Sequence, residues 1–203
     1  MDLKGRNIVV FDLEIKNEIK DGVSWKDFGK MGISVGCSFN FATNDYKVFM
    51  DDNIHELAED LDKAELAVGF NTLGFDVPLL ENIACLKLIK DHHYDILFHS
   101  RKAHGGGSFV KGFKLDNHLA GTFGKEWMKT GNGAMAPVWY QEKRMGKLIT
   151  YCLDDVKREA KLFKYLWENG SVKLDSYGEL KFLKKPQDFI EDLKGRQLEM
   201  TAI

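Results

Sequence analysis

The stretch Ile8-Val9-Val10-Phe11 constrains this chain most, because four apolar residues are followed at once by Asp12 and Glu14. β-Branched and aromatic residues in succession favour a strand buried on both faces, so the run predicts a strand in the middle of a core. Side chains alternate along a strand, which puts Asp12 and Glu14 on one side, roughly 7 Å apart. Two carboxylates so placed repel unless a proton or a cation lies between them, or unless the strand end reaches water. By itself the pair is equally compatible with a hydrated strand end.

The rest of the chain supplies a mixed α/β domain. Segments 33–41 and 45–50 read as two further strands, which with the first suggest an antiparallel meander. Ile54, Leu57, Leu61 and Ala64 recur at helical spacing over 53–64, and 65–70 is a short buried strand. A helix is predicted over 77–89 with Pro78 in its first turn, then a strand over 92–100 and a helix over 114–124 ending at Gly124. Segment 129–137 has no periodicity and reads as a loop. A long helix over 147–169 is closed by Gly170, followed by a hairpin over 172–183 and a short helix over 186–195. Of 203 residues 44% are hydrophobic and 30% charged, enough for a core and against disorder. The expected division is a domain over 1–170 and a C-terminal hairpin and helix, 171–203, packed on it. The net charge of −2 gives no global basic footprint, so nucleic-acid binding would need a local patch. Cys37, Cys85 and Cys152 form no CxxC pair, which disfavours a zinc ribbon and predicts reduced thiols. The apolar run before Asp12 is too short for a signal peptide and no stretch spans a membrane, so a soluble cytoplasmic protein is expected.

Two further places carry candidate acids. Asp76, in "GFNTLGFDVPLL", follows a strand and a glycine-containing turn and opens a helix, where capping alone would explain it. Asn71 follows the same strand and could either hold substrate or stabilise the turn. In "YCLDDVKREA", Tyr151 and Asp155 are four residues apart on one helix face, on or beside the apolar stripe, with Asp154 turned roughly 100° away. An aspartate near a buried face is costly unless paired or bound to metal. Four carboxylates converging on one point, Asp12, Glu14, Asp76 and Asp155, would form an oxygen cage suited to Mg²⁺ or Mn²⁺.

These residues resemble the motifs of the DEDD 3′–5′ exonucleases, in the tyrosine (DEDDy) subgroup. Asp12-Leu13-Glu14 matches the first motif, Asn71 to Asp76 the second and Tyr151 to Asp155 the third, in order, over roughly residues 7–168. The chain is similar to the proofreading domains of family B DNA polymerases and to stand-alone phage and bacterial relatives. The resemblance implies a ribonuclease H-like sheet, three antiparallel strands then parallel ones, flanked by helices. It implies two divalent cations, with Asp12, Glu14 and Asp155 on the first and Asp12 bridging to the second, which Asp76 supports. Tyr151 would orient the attacking water. Asn71, Phe75 and the backbone near Leu13 would hold the 3′-terminal nucleotide, with the Leu13 side chain against its base. The implied reaction shortens single-stranded DNA from its 3′ end, releasing nucleoside 5′-monophosphates, alone or in trans with a replication or repair protein. RNA ends are the other substrate, and a non-catalytic nucleic-acid or partner-binding module is the alternative in a different class.

Several features stay outside this reading. His92 and His93 have no ligand spacing and read as strand-end surface, while Asp95 is placed near the site. "HGGGS" (104–108) lacks a Walker lysine and reads as a loop. Trp25 and Phe28, in the long polar segment 16–32, could stack on a strand or fold back on their own loop. Lys143, Arg144 and Lys147 could meet phosphates or simply be a solvated helix start.

Overall fold

The computed structural model describes residues 2–18, 27–82, 92–106, 110–128, 131–182 and 184–201. Its centre is β1 (Ile8–Ile15), flanked on one side by β2 (Ile33–Asn40) and β3 (Asp45–Met50) and on the other by β4 (Leu66–Gly69) and β5 (His93–Asp95). The sheet order is β3-β2-β1-β4-β5, with antiparallel pairing through β1, β2 and β3 and parallel pairing through β1, β4 and β5. This is the mixed α/β architecture expected from the sequence, with the Ile8–Phe11 run on the central strand.

Alternation along β1 divides the core in two. Val9, Phe11 and Leu13 pack with Ile54, Leu57 and Leu61 of α2 (Ile54–Asp62) and with Val77, Leu79 and Leu80 of α3 (Asp76–Glu81). Ile8 and Val10 face the other way, into a larger cluster with Leu148, Val156, Phe163 and Leu166 of α7 (Met145–Asn169). Asp12 and Glu14 share the face of Ile8 and Val10, and therefore point towards α7. Along β1, β4 pairs with Ile8 to Val10, so the carboxyl half of β1 outruns this parallel neighbour. That leaves a crevice at the carboxyl ends of the parallel strands, where sites on open α/β sheets lie.

Three local expectations change, and a fourth falls partly outside the described residues. The 77–89 helix is described only as α3, and residues 83–91 lie outside the described residues. The strand expected over 92–100 lasts three residues and then turns into α4 (Ile96–Ala103), because the Asp95 side chain accepts from the Phe98 N–H and caps the helix. Within the 129–137 loop, residues 133–135 form a 3₁₀ turn and α6 (Ala136–Gln141) begins, with Pro137 in its first turn. His93 is buried rather than on the surface: its Nε2 lies 2.6 Å from Thr72 Oγ1 and its ring meets Phe11 edge-on. Trp25 lies outside the described residues, and Phe28, in α1 (Phe28–Met31), packs against the α2 cluster.

The helix α5 (Leu115–Phe123) ends at Gly124 as expected. α7 ends at Gly170, which takes a left-handed φ of 69° that a side chain would resist. Beyond it, β6 (Ser171–Leu174) and β7 (Gly178–Lys181) form the expected hairpin, and α8 (Pro186–Thr201) runs further than the predicted 186–195. Val172, Leu174, Leu180, Phe182 and Ile190 belong to the same core as α7. α5 lies against β6 so closely that a Cβ on Gly121 would stand 2.5 Å from the backbone of residues 173–175.

Candidate active site

The crevice at the end of β1 is a cleft of about 580 Å³, and Asp12, Leu13, Glu14, Asn71, Phe75, Asp76, Tyr151 and Asp155 all line it. Three chain segments more than 50 residues apart thus bring these eight residues to one place. Asp12, Glu14 and Asp155 form its acidic centre, with one carboxylate oxygen of each within 4.8 Å of the others. Glu14 and Asp155 are 7% and 1% exposed. Three such groups in little water repel strongly, and a hard cation with oxygen ligands is the partner that fits them. Arg158 Nη1 stands 3.7 Å from Asp155 Oδ1, a positive charge at the edge of the cluster. The Cys152 thiol, one residue from Tyr151, donates to the Asp12 carbonyl at 3.4 Å and ties α7 to β1. Cys37 and Cys152 are buried free thiols, and burial raises the Cys152 pKa well above the usual thiol value.

Asp76 lines the cleft but stands outside this trio. Its Oδ1 accepts from the Leu13 N–H at 3.0 Å, so it grips β1 between the other two acids. Burial, and then the nearby Asp12 charge, hold its carboxyl well above the usual carboxylate range. Phe75, not Asp76, is the N-cap of α3, and Asp76 is its first helical residue, with a carboxylate that also meets its own backbone N–H. A place in the first turn of α3 does not account for its bond across to β1. Leu13 lines the cleft, is 3% exposed, packs among the α2 residues and donates its backbone N–H to Asp76.

The turn 70–75 owes its shape to Asp95. Both Asp95 carboxylate oxygens accept backbone bonds, from Asn71 and Phe98 on Oδ1 (3.0 and 3.1 Å) and from Leu73 on Oδ2 (3.0 Å). Asn71 takes a left-handed φ of 67°, tolerated by asparagine, and lines the cleft with Phe75 beyond it. Burial pushes the Asp95 pKa up while these N–H groups pull it down. Asp95 acts through the turn and was legible only as a nearby acid.

Tyr151 is held on several sides. Trp139 of α6 meets its ring edge-on at 5.7 Å, and a Cβ on Gly131 would stand 2.8 Å from ring carbons Cδ2 and Cε2. Gly133 lies by the hydroxyl, its Cβ position 3.4 Å from Oη. The missing side chain at Gly131 lets the backbone approach the tyrosine ring, a role its sequence position alone does not reveal. Lys143, Arg144 and Lys147 head α7 outside the cleft lining, with Arg144 paired to Glu142 at 3.0 Å.

A mixed sheet whose central strand carries acids at its carboxyl end, met by a helix that adds Asp155, defines an RNase H-like domain. The chain belongs to the RNase H superfamily, whose family model matches residues 33–167. That membership points to a nuclease, a hydrolase of nucleic acid working with divalent metal. Asp76, Tyr151 and Asp155 lie inside the matched span, whereas Asp12 and Glu14 precede it. No curated protein matches the chain. Among the described residues no helix is long and apolar enough to cross a membrane.

Proposed function

We propose that the chain is a 3′–5′ exonuclease that removes nucleoside 5′-monophosphates from the 3′ end of single-stranded DNA. The observation that carries this reading is the convergence of the Asp12, Glu14 and Asp155 carboxylates beside Tyr151, Asn71 and Phe75 in one cleft. Asp12, Glu14 and Asp155 would hold one divalent cation and Asp76, with Asp12, would support a second; Mg²⁺ or Mn²⁺ so held makes water a better nucleophile and neutralises charge on the phosphoryl group. Tyr151, fixed by Trp139 and the glycine segment, offers its hydroxyl to orient the attacking water. Asn71 offers its amide to the terminal sugar and Phe75 its ring to the terminal base, both set by the turn that Asp95 clamps. Asp76 keeps the backbone between Asp12 and Glu14 in place through Leu13.

One panel tests the reading: 5′-labelled DNA and RNA oligonucleotides, single- and double-stranded, with Mg²⁺, Mn²⁺ or EDTA. The expected result is a 3′-shortening ladder on single-stranded DNA that EDTA and either Asp12→Ala or Asp155→Ala abolish. A ladder on RNA alone would move the substrate to RNA. Internal cuts, or full activity in both variants, would overturn the proposal.

A further inference from the structure

A second groove lies beyond the carboxylate cleft, on the back of α7, and is larger, about 1070 Å³. Counting on from Asp155, each third residue, Arg158, Lys161 and Lys164, is basic. A three-residue step keeps side chains along one helix ridge, here rising roughly 13 Å from Asp155 at 1.5 Å per residue. Arg158 begins the ridge within reach of Asp155. Lys157 and Trp127 line both the small cleft beside Arg158 and the groove itself, so the surface continues from one to the other.

The groove combines charge with aromatic rings. Lys4, Lys157, Lys161 and Lys164 line it against two carboxylates, Asp2 and Glu168. None of these lysines makes an ion pair among the described residues. Lys161 is held over the Trp127 ring, 3.8 Å from its centroid, which fixes one positive charge in place. Tyr46, 46% exposed, rests on Phe39 at 4.7 Å and so presents an aromatic surface at the groove's lip. A merely solvated lysine face would need neither ring. In a chain of net charge −2, a local excess of lysine around aromatic surface is complementary to phosphates and bases together.

We propose that this groove binds single-stranded nucleic acid, with phosphates on Lys157, Lys161 and Lys164 and a base stacked on Tyr46. The proposal rests on the nuclease reading of the cleft for the presence of a strand, but binding is measured without hydrolysis. The test is fluorescence anisotropy of a labelled single-stranded 20-mer in EDTA, titrated at several salt concentrations. The triple variant Lys157→Ala, Lys161→Ala, Lys164→Ala is expected to bind about tenfold or more weakly, with the log–log salt slope smaller by about 2. Tyr46→Ala is expected to lose about tenfold with its salt slope unchanged. A control that removes the same charge elsewhere, Lys63→Ala, Lys111→Ala, Lys181→Ala, is expected to bind like the unsubstituted chain. The groove is overturned if the triple variant keeps its affinity and slope, if the control loses as much, or if a duplex binds as well as the single strand. A chain that binds through the groove but shortens no oligonucleotide overturns the proposed activity and leaves the groove standing.

Discussion

Asp95 and Asp155 are almost equally buried, 3% and 1% exposed, yet their surroundings are opposite in kind. Asp95 faces three backbone N–H groups, from Asn71, Leu73 and Phe98, which supply what water would have supplied. Asp155 faces two other carboxylates, and Arg158 stands 3.7 Å from it. Burial alone therefore does not mark the candidate metal-binding acids. What separates them is whether the fold provides donors for the charge or gathers more of the same charge around it. The first arrangement builds the scaffold, and the second leaves a site for a cation.

The sharpest way to break this comparison is to neutralise one acid of each kind. Asp155→Asn should lower the rate by on the order of a thousandfold, about 4 kcal/mol of transition-state stabilisation. Its metal-free melting temperature should stay level or rise, because a like charge has been removed. Calorimetry alongside single-turnover hydrolysis checks both halves, and a large loss of metal-free stability would show that Asp155 belongs with Asp95. Asp95→Ala should do the reverse, costing about 3 kcal/mol of stability by orphaning its N–H partners. Urea unfolding reads this directly, and an unchanged midpoint would remove Asp95 from the scaffold.

Cation titration sharpens the same contrast. Saturating Mg²⁺ or Mn²⁺ at a hundred times its dissociation constant should stabilise the unsubstituted chain by about 2.7 kcal/mol, and Asp155→Asn by much less. Equal stabilisation of both proteins would place the cation elsewhere.

His118 extends the contrast to a buried base. Its Nδ1 meets the Lys114 carbonyl at 2.8 Å and its Nε2 meets Ser100 Oγ at 2.9 Å, beside the rings of Phe70 and Phe113. Burial lowers its pKa from 6.5 to about 4, against a smaller upward pull from the Lys114 carbonyl. Between those values the unfolded chain binds the extra proton, so stability is full above pH 6.5 and is lost as pH falls towards 4. The contribution at stake is about 3 kcal/mol, and His118→Asn should flatten that part of the stability–pH curve. An identical curve in the variant would assign the acid sensitivity to other groups.

The fold was legible where one strong local pattern decided it. The apolar run of β1 ending in two acids and the long stripe of α7 closed by Gly170 both name their elements without help. The stretch from His93 to Ser100 was not, because a short apolar run suits strand and helix alike, and the decision rests on a side chain bonding three residues on. The candidate acids could be listed from their spacing. Their division of labour could not, since the Asp76 bond to Leu13 and the Asp95 clamp each join residues more than 20 positions apart. The same holds for Gly131, where a Cβ would stand 2.8 Å from the ring of a tyrosine on another element.

That tyrosine gives the finest test of how far positioning matters beside charge. Tyr151→Phe removes the hydroxyl and keeps the ring that Trp139 and Gly131 hold, so the fold should be intact and the rate should fall about 10- to 100-fold. Gly131→Ala keeps the hydroxyl and pushes a methyl to within 2.8 Å of the ring, which must then shift. If the water is oriented by Tyr151, the smaller displacement should still lower the rate, about threefold, through kcat rather than KM. A Gly131→Ala protein with unaltered kcat, beside an impaired Tyr151→Phe, would mean that the hydroxyl acts from a range of positions. The carboxylate cluster would then be the only part of the cleft whose geometry is exacting.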